Sequence, residues 1–328
     1  MKALVLEEFG AQFQLKDVVT PSAGEGEVLV KISHSGVNPL DLKIVAGEAS
    51  HARTVLPAIL GIDMAGTVEA VGQGVTRFKP GDHVYGMIGG VGGVQGALAE
   101  YVSVDANLLA IKPGNLSMKE SASIPLAFIT AWEGLVDRAK VGQSKTVLIH
   151  GGAGGVGQLA LQIAVAMGAQ VFATVNYRDM DLIHSYGATP IDHTILSVEE
   201  YVKEYTNNEG FDIIFDTLGG AVLDASFKAA KQYEGHVVSI LGWGSHSLAP
   251  LSFRGATYSG VFTLYPLISG KGRAHHGRIL SQAASLIESG RISARIDQKD
   301  YTLESIHDAY SDLQNKRASG KVVIQVIQ

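Results

Sequence analysis

Over roughly the first 120 residues, apolar positions recur in short alternating runs broken by glycine, which predicts strands joined by tight turns. EVLVKISHSGV sets Val28, Val30 and Ile32 on one face and ends at glycine. MAGTVEAVG and HVYGMIGG repeat the pattern, and KALVLEE alternates loosely. Pro80-Gly81-Asp82 and Lys112-Pro113-Gly114-Asn115 read as turns. The texture changes near Ile124. IPLAFITAWEGLVDRAKVG has helical spacing, with Ala127, Ala131 and Leu135 on one side. Thereafter strand-like runs (TVLIH, QVFATV, FDIIFD, GHVVSI, ATYSGVF) alternate with helical ones (VGQLALQIAVAMG, MDLIHSYGA). That alternation predicts a parallel sheet covered on both faces. The chain closes on an amphipathic stretch, TLESIHDAYSDLQNK, and a last strand, KVVIQVIQ, whose partner periodicity does not name.

Between TVLIH and the helix lies HGGAGGVGQ, His150 to Gln158, with five glycines in nine residues. Gly152, Gly154 and Gly157 fit G-x-G-x-x-G in a strand-loop-helix setting, the context that makes this motif a dinucleotide seat. Gly152 would permit the turn, Gly154 would let backbone approach the pyrophosphate, and Gly157 would let the helix pack on the strand. Gly155 and Val156 open the helix, whose free N–H groups favour phosphate. A second frame, Gly155, Gly157 and Ala160, fits less well because it begins inside the turn. Walker-type phosphate binding is excluded, since no G-x-x-x-x-G-K-[ST] occurs. The second strand ends ATVNYRD, and no carboxylate appears before Asp179. Without an acid to take the adenosine ribose, a 2′-phosphate is not repelled. Arg178 would meet it, with Asn176 and Tyr177 as hydrogen-bonding neighbours, so NADP(H) is favoured over NAD(H).

Composition narrows the class. The 328 residues suggest two domains, and 46% hydrophobic content suits buried cores. A net charge of −6 offers no general attraction for nucleic acid or anionic lipid. The absence of cysteine excludes disulfides, thiolate nucleophiles and cysteine-held metals. Glu7 and Glu8 come too early for a signal peptide, and no apolar run reaches the ~18 residues of a membrane helix. A cytoplasmic protein is expected.

Several ordered motifs resemble the medium-chain dehydrogenase/reductase superfamily, in its zinc-free quinone oxidoreductase branch. They are GVNPLDLKI at Gly36, LGIDMAGTVEAVGQGVTRFKPGDHVYG at Leu60, GALAEYVSV at Gly96, IPLAFITAWEGL, HGGAGGVG, IDH near Asp192, DTLGG at Asp216 and GKVVI at Gly320. The resemblance implies a GroES-like β-rich catalytic domain from 1–123 and 269–328 and a Rossmann domain, a doubly wound parallel sheet, from 124–268. The cofactor would lie in the cleft between them, and the strand around SGVFTLY would pair across a homodimer.

Zinc-dependent members place ligands where this chain has Asn38, Gly61-Ile62-Asp63 and, near the third position, Leu126. That set cannot supply three protein ligands, so no metal is expected. The pair His275-His276 is read as a solvated surface pair. The resemblance makes Asn38 the first candidate donor to the substrate oxygen, Lys43 the second, and Asp41 a residue that holds the loop. Many relatives carry arginine where Val45 stands. Toward the cofactor it implies Thr130, Leu218, Gly219, Leu241, Gly242, Val261, Phe262 and His193. Tyr85, Trp132, Trp243 and Tyr258 could stack on a flat acceptor, though core packing is the commoner fate of such rings.

Without a metal, hydride delivery to an already electrophilic acceptor is the easier task, and quinones and α,β-unsaturated carbonyls qualify. Two other readings compete: a zinc-type alcohol dehydrogenase, and a nicotinamide-cofactor-binding protein with a sensing or structural role and little turnover.

Overall fold

The computed structural model describes residues 1–327. The chain forms two compact units, Met1–Leu126 with Leu264–Gln328, and Ala127–Thr263.

The first unit is β-rich. Its opening strands are β1 (Lys2–Leu6), β2 (Gln14–Asp17), β3 (Glu27–Gly36), β4 (Ala58–Ile59), β5 (Asp63–Val71), β6 (His83–Met87), β7 (Tyr101–Asp105) and β8 (Leu109–Ile111). A short helix, α1 (Pro39–Val45), lies between β3 and β4, and another, α2 (Met118–Ala122), follows β8. β1 is the centre of a small sheet ordered β2-β1-β4. In β3, Val28, Val30 and Ile32 are fully buried, as the period of two demands. β1 does not alternate: Ala3, Leu4, Val5 and Leu6 are all buried, so the strand is covered on both faces. β3 and β5 pair antiparallel with two register shifts and finish with Gly36 opposite Asp63. A Cβ on Gly36 would come within 2.3 Å of the Ala122 carbonyl oxygen, so only glycine lets α2 lie this close.

The second unit begins in α3 (Pro125–Trp132) and holds one six-stranded parallel sheet. Its elements are β9 (Thr146–His150), α4 (Gly155–Ala166), β10 (Gln170–Val175), α5 (Met180–Ser185), β11 (Thr189–Asp192), α6 (Val198–Thr206), β12 (Ile213–Asp216), α7 (Gly220–Ala229), β13 (His236–Ser239), α8 (Ala249–Arg254) and β14 (Thr257–Gly260). The strand order is β11-β10-β9-β12-β13-β14, the doubly wound Rossmann order with its reversal between β9 and β12. Ligands bind such sheets beyond the carboxyl ends of the strands at that reversal. Here the strands end side by side at His150 and Asp216, which are register partners. Leu148, Phe172, Ile191, Tyr201, Phe211, Ile214, Phe227 and Val237 form a core cluster on the sheet. Along the outer edge, β14 leaves Tyr258 partly exposed, and Phe253 of α8 and Phe262 beyond the strand are also uncovered.

The chain then returns to the first unit through α9 (Tyr265–Ser269), α10 (Arg273–Glu288), β15 (Tyr301–Thr302), α11 (Ile306–Gln314) and β16 (Val323–Gln325). β16 pairs antiparallel with β3, Val323 opposite Gly36, so the closing strand joins the opening sheet. α10 corrects the surface reading of His275-His276. Successive helical residues differ by about 100°, so His276 turns inward beside Ile279, Leu280 and Ala283, and all four are buried. Tyr85 is also core, donating to the Leu280 carbonyl at 2.6 Å. Among the described residues no helix is long and apolar enough to cross a membrane.

Candidate active site

The glycine loop sits at the carboxyl end of β9, and its residues divide the work differently from the motif reading. Gly151, not Gly152, takes the left-handed turn, at φ +73°. Gly152 is required by close packing: an added Cβ would lie 2.7 Å from the Ala173 Cβ on β10. Gly154 is the N-cap of α4, in extended backbone. A Cβ on Gly157 would lie 2.1 Å from the Gly151 carbonyl oxygen, so α4 meets the turn at backbone contact. A Cβ on Gly155 would meet nothing within 4 Å, so Gly155 and Val156 open a twelve-residue helix with space in front of them. This is a cradle that side chains would fill, with free N–H groups and the positive end of a helix dipole. It fits a dinucleotide pyrophosphate.

Next to the loop, Asp216 organises the other strand ends. Its buried carboxylate accepts from Leu218 N–H at 3.0 Å, from Gly219 N–H at 3.0 and 3.1 Å, and from Ser239 Oγ at 2.7 Å. Ser239 Oγ in turn accepts from Leu241 N–H at 3.1 Å. One carboxylate thus shapes both loops that carry Leu218, Gly219, Leu241 and Gly242. Gly219 is needed sterically, and a side chain at Gly242 would displace the Tyr258 hydroxyl. A Cβ would come 2.4 Å from the Leu241 carbonyl oxygen at Gly219 and 2.1 Å from the Tyr258 hydroxyl at Gly242. Beside Asp216, the buried His150 ring holds Nδ1 3.0 Å from Thr174 Oγ1. Burial lowers this imidazole to about 4, so it is neutral near neutral pH. Thr130 Oγ1 lies 3.5 Å from Thr263 Oγ1, next to the buried Val261 and the half-exposed Phe262.

β10 ends at Val175 with no carboxylate at its tip; Thr174, the register partner of His150, stands there instead. Asn176, Tyr177 and Arg178 follow on the surface, and Tyr177 is 80% exposed. Arg178 Nε lies 3.5 Å from Asp179 Oδ2. His193 is exposed just after Asp192, whose carboxylate is tied to Thr194.

In the β-rich unit the structure revises the role of Asn38. It is 1% exposed. Its amide nitrogen donates to Asp63 Oδ2 at 2.9 Å, and its side-chain oxygen accepts from the Lys321 ammonium. Its backbone N–H donates to Asp41 Oδ2 at 2.7 Å, which fixes the first turn of α1. Leu126 N–H donates to Asp63 Oδ1 at 2.8 Å, and Lys321 Nζ lies 3.9 Å from Asp63 Oδ2. The side chains of Asn38 and Asp63 and the Leu126 backbone, all within the stretches where zinc-type enzymes place ligands, are therefore tied to one another, with a lysine ammonium among them. The position that matches the histidine of G-H-E is the buried, apolar Ile62. Asn38 does not turn its amide outward toward an acceptor; it holds this network. Burial pushes the Asp41 carboxyl up to about 7 and Asp63 up to about 6, and lowers Lys321. Lost solvation thus outweighs attraction of opposite charge in all three. One committed amide, at Asn38, and two apolar side chains, Ile62 and Leu126, do not form a zinc donor set. Among the described residues no cluster of three or more His, Cys, Asp or Glu is placed to hold a metal. Lys43 lies in the last turn of α1 with its side chain exposed. His51 is close by, its ring held below its ordinary value by burial and then by the Lys43 charge.

The alcohol dehydrogenase GroES-like domain model matches residues 24–114, and the zinc-binding dehydrogenase model matches residues 186–324. The NADPH-dependent alkenal/one oxidoreductase (chloroplastic) of Arabidopsis thaliana is 34% identical over all of this chain and 80% of its own length. The chain belongs to the medium-chain dehydrogenase/reductase superfamily. The 2-methylene-furan-3-one reductase of Solanum lycopersicum is 35% identical, again over the whole chain and 79% of the relative. A solved structure, an alcohol dehydrogenase superfamily protein from Novosphingobium aromaticivorans, superposes with a TM-score of 0.97 at 52% identity, over 100% of each chain. This member is akin to the quinone and alkenal/one oxidoreductases, NAD(P)H-dependent enzymes of that superfamily.

Four residues of weight escaped the motif reading: Gly151, Asp216 in its hydrogen-bonding role, Ser239 and Lys321. DTLGG and GKVVI marked where Asp216 and Lys321 lie, but neither motif says what the side chain touches.

Proposed function

We propose that this protein is an NADPH-dependent reductase of α,β-unsaturated carbonyl compounds or quinones that works without zinc. The observation that supports the reading is the set of side chains at the zinc enzymes' ligand positions, a committed Asn38 amide and the apolar Ile62 and Leu126, with the Asn38–Asp63–Lys321 network built around them. Alcohol oxidation loses its Lewis acid there, whereas a conjugated carbonyl is electrophilic without one.

The pyrophosphate is assigned to the N–H groups of Gly155, Val156 and Gly157, with Gly154, whose own N–H closes the turn onto the Gly151 carbonyl at 2.9 Å, capping the helix and Gly152 keeping the turn close to β10. Arg178, Asn176, Tyr177 and His193 are assigned to the 2′-phosphate side, which supports NADPH over NADH. Thr130, Leu218, Gly219, Leu241, Gly242, Val261 and Phe262 are assigned to the nicotinamide side. When bound, the reduced nicotinamide supplies the hydride.

The chain's own residues handle the charge that appears on the acceptor oxygen. Lys43, exposed on α1, is the donor we assign to it. A fixed donor of this kind is worth ~3–4 kcal/mol when aimed at developing charge. Asn38 and Asp41 hold α1, and with it Lys43, in place through Asp63 and Lys321. The proton that completes the carbon skeleton comes from solvent or a nearby acid. A homodimer through the β14 edge fits the exposed Phe253, Tyr258 and Phe262.

Consumption of NADPH on adding a small enone or quinone, undiminished by chelator, tests the reading. Cofactor binding without turnover across a broad acceptor panel would favour a sensing or structural role. Loss of activity on chelation would favour a metal enzyme.

A further inference from the structure

The loop after β13 is held at two points. At its start, Leu241 N–H is tied through Ser239 to Asp216. Further on, His246 bridges the loop to α7: ring Nδ1 lies 2.9 Å from Asp224 Oδ1 and ring Nε2 lies 3.0 Å from the Trp243 carbonyl oxygen. The Phe227 ring packs edge-on against the imidazole, whose side chain is 12% exposed.

Both partners of His246 accept and neither can donate: one is a carboxylate, the other a carbonyl oxygen. A neutral imidazole carries one N–H and satisfies only one of them; the imidazolium carries two. The hydrogen bonds to Asp224 and to the Trp243 carbonyl raise its proton affinity against a smaller opposing effect of burial, and the charges of Asp224 on α7 and Asp216 at the end of β12 each add less than burial removes. The hydrogen bond to Asp224 is the largest cause, and the imidazole is held above its ordinary 6.5. The segment so clasped carries Gly242, Trp243 at 51% exposure and Gly244 at φ +97°. It lies at the carboxyl end of the sheet, where this fold takes its ligand.

We propose that His246 is a positioning residue whose imidazolium clasps the 241–246 loop to α7, so that cofactor affinity in this protein falls as pH rises through its titration. The sign follows from the linkage: a raised imidazole contributes fully below its unfolded value and loses that contribution as pH rises through the folded one. The cofactor clause rests on the function proposed above; the clasp does not.

The test uses the full-length protein, H246Q and H246R. Glutamine carries both of its N–H groups on one nitrogen and an acceptor oxygen in place of the second ring nitrogen, so it does not present donors at both positions, whereas arginine donates from separate nitrogens at every pH used. Carbon-detected histidine titration should place His246 above 6.5 in the wild type, and D224N should lower it. Hydrogen exchange of the 241–248 amides, corrected for intrinsic rates, should quicken with pH in the wild type. It should be fast throughout in H246Q and slow throughout in H246R. Wild type should bind NADPH about tenfold more tightly than H246Q near pH ~6 and within about twofold near pH ~8.5, as expected for losing one charge-assisted hydrogen bond. Comparing variants at each pH cancels titration of the 2′-phosphate itself. A His246 titration at or below 6.5, or equal loop exchange in wild type and H246Q at low pH, overturns the clasp. A titrating clasp with equal NADPH affinity in both proteins at low pH overturns the positioning role. Absence of NADPH binding in every variant at every pH overturns the proposed function and leaves the exchange result to decide the clasp.

Discussion

Replacing Lys321 by methionine puts the internal cation to a direct test. Lys321 is 9% exposed and Asp63 is fully buried, so K321M leaves the Asp63 carboxylate in the interior without its counter-charge and the Asn38 side-chain oxygen without its donor. Removing one member of a buried pair costs about 3–5 kcal/mol. Domain stabilities run at about 5–15 kcal/mol, so the loss is a large fraction of the total. With an m-value near ~2–3 kcal/mol/M, the urea midpoint of the β-rich unit should fall by about 1–2 M with m unchanged. Methionine keeps most of the apolar stem, so packing loss contributes little. The double variant K321M/D63N should recover to within about 2 kcal/mol of wild type. In it Asn38 can turn its amide over and accept from the new amide at position 63, while the side-chain oxygen there still accepts from Leu126 N–H. A K321M cost under about 1 kcal/mol, or no recovery in the double variant, would refute the claim that Lys321 holds the network as a charged group.

Other perturbations separate the remaining roles. G157A forces a Cβ onto the Gly151 carbonyl oxygen; NADPH affinity by fluorescence titration should drop at least about tenfold while the circular dichroism of the Rossmann unit is retained. R178A should weaken NADPH about tenfold and leave NADH within about twofold, and an unchanged NADPH-to-NADH ratio removes Arg178 from the 2′-phosphate. K43M should lower kcat on an enone by about a hundredfold without altering the NADPH dissociation constant. Asp41 and Asp63 carry carboxyls raised to about 7 and about 6, so the folded state binds more protons than the unfolded one from their ordinary values upward. Their joint contribution therefore falls as pH rises through about 4 to 7, and D41N should flatten the pH dependence of the urea midpoint over that window.

The parts of the fold visible in sequence were those with local causes. β3 was legible because Val28, Val30 and Ile32 all face one buried side. The glycine loop at the carboxyl end of β9 was legible because its glycines lie between a β-branched run and an apolar helix. Which glycine does what was not, since the left-handed turn at Gly151 follows from how β9, β10 and α4 pack. Residues joined across long separations were hidden for the same reason. Lys321 meets Asn38 from 283 positions away, brought there by β16 pairing with β3. Asn38 consequently looked like an open donor when it is an interior one. His276 looked solvated because a histidine pair has no periodicity of its own; its inward turn is set by the face of α10. The residue types at the zinc enzymes' ligand positions, by contrast, are a local property: Asn38, Ile62 of Gly61-Ile62-Asp63 and Leu126 are plain in the sequence.

The most direct test of the central claim is transfer of label from NADPH deuterated at the reactive carbon to a simple enone, with protein dialysed against chelator. The account predicts undiminished turnover, one deuterium on the β-carbon of the saturated ketone and a solvent-derived proton on the α-carbon. Loss of turnover after dialysis, or binding of NADPH with no label in any product, would contradict it.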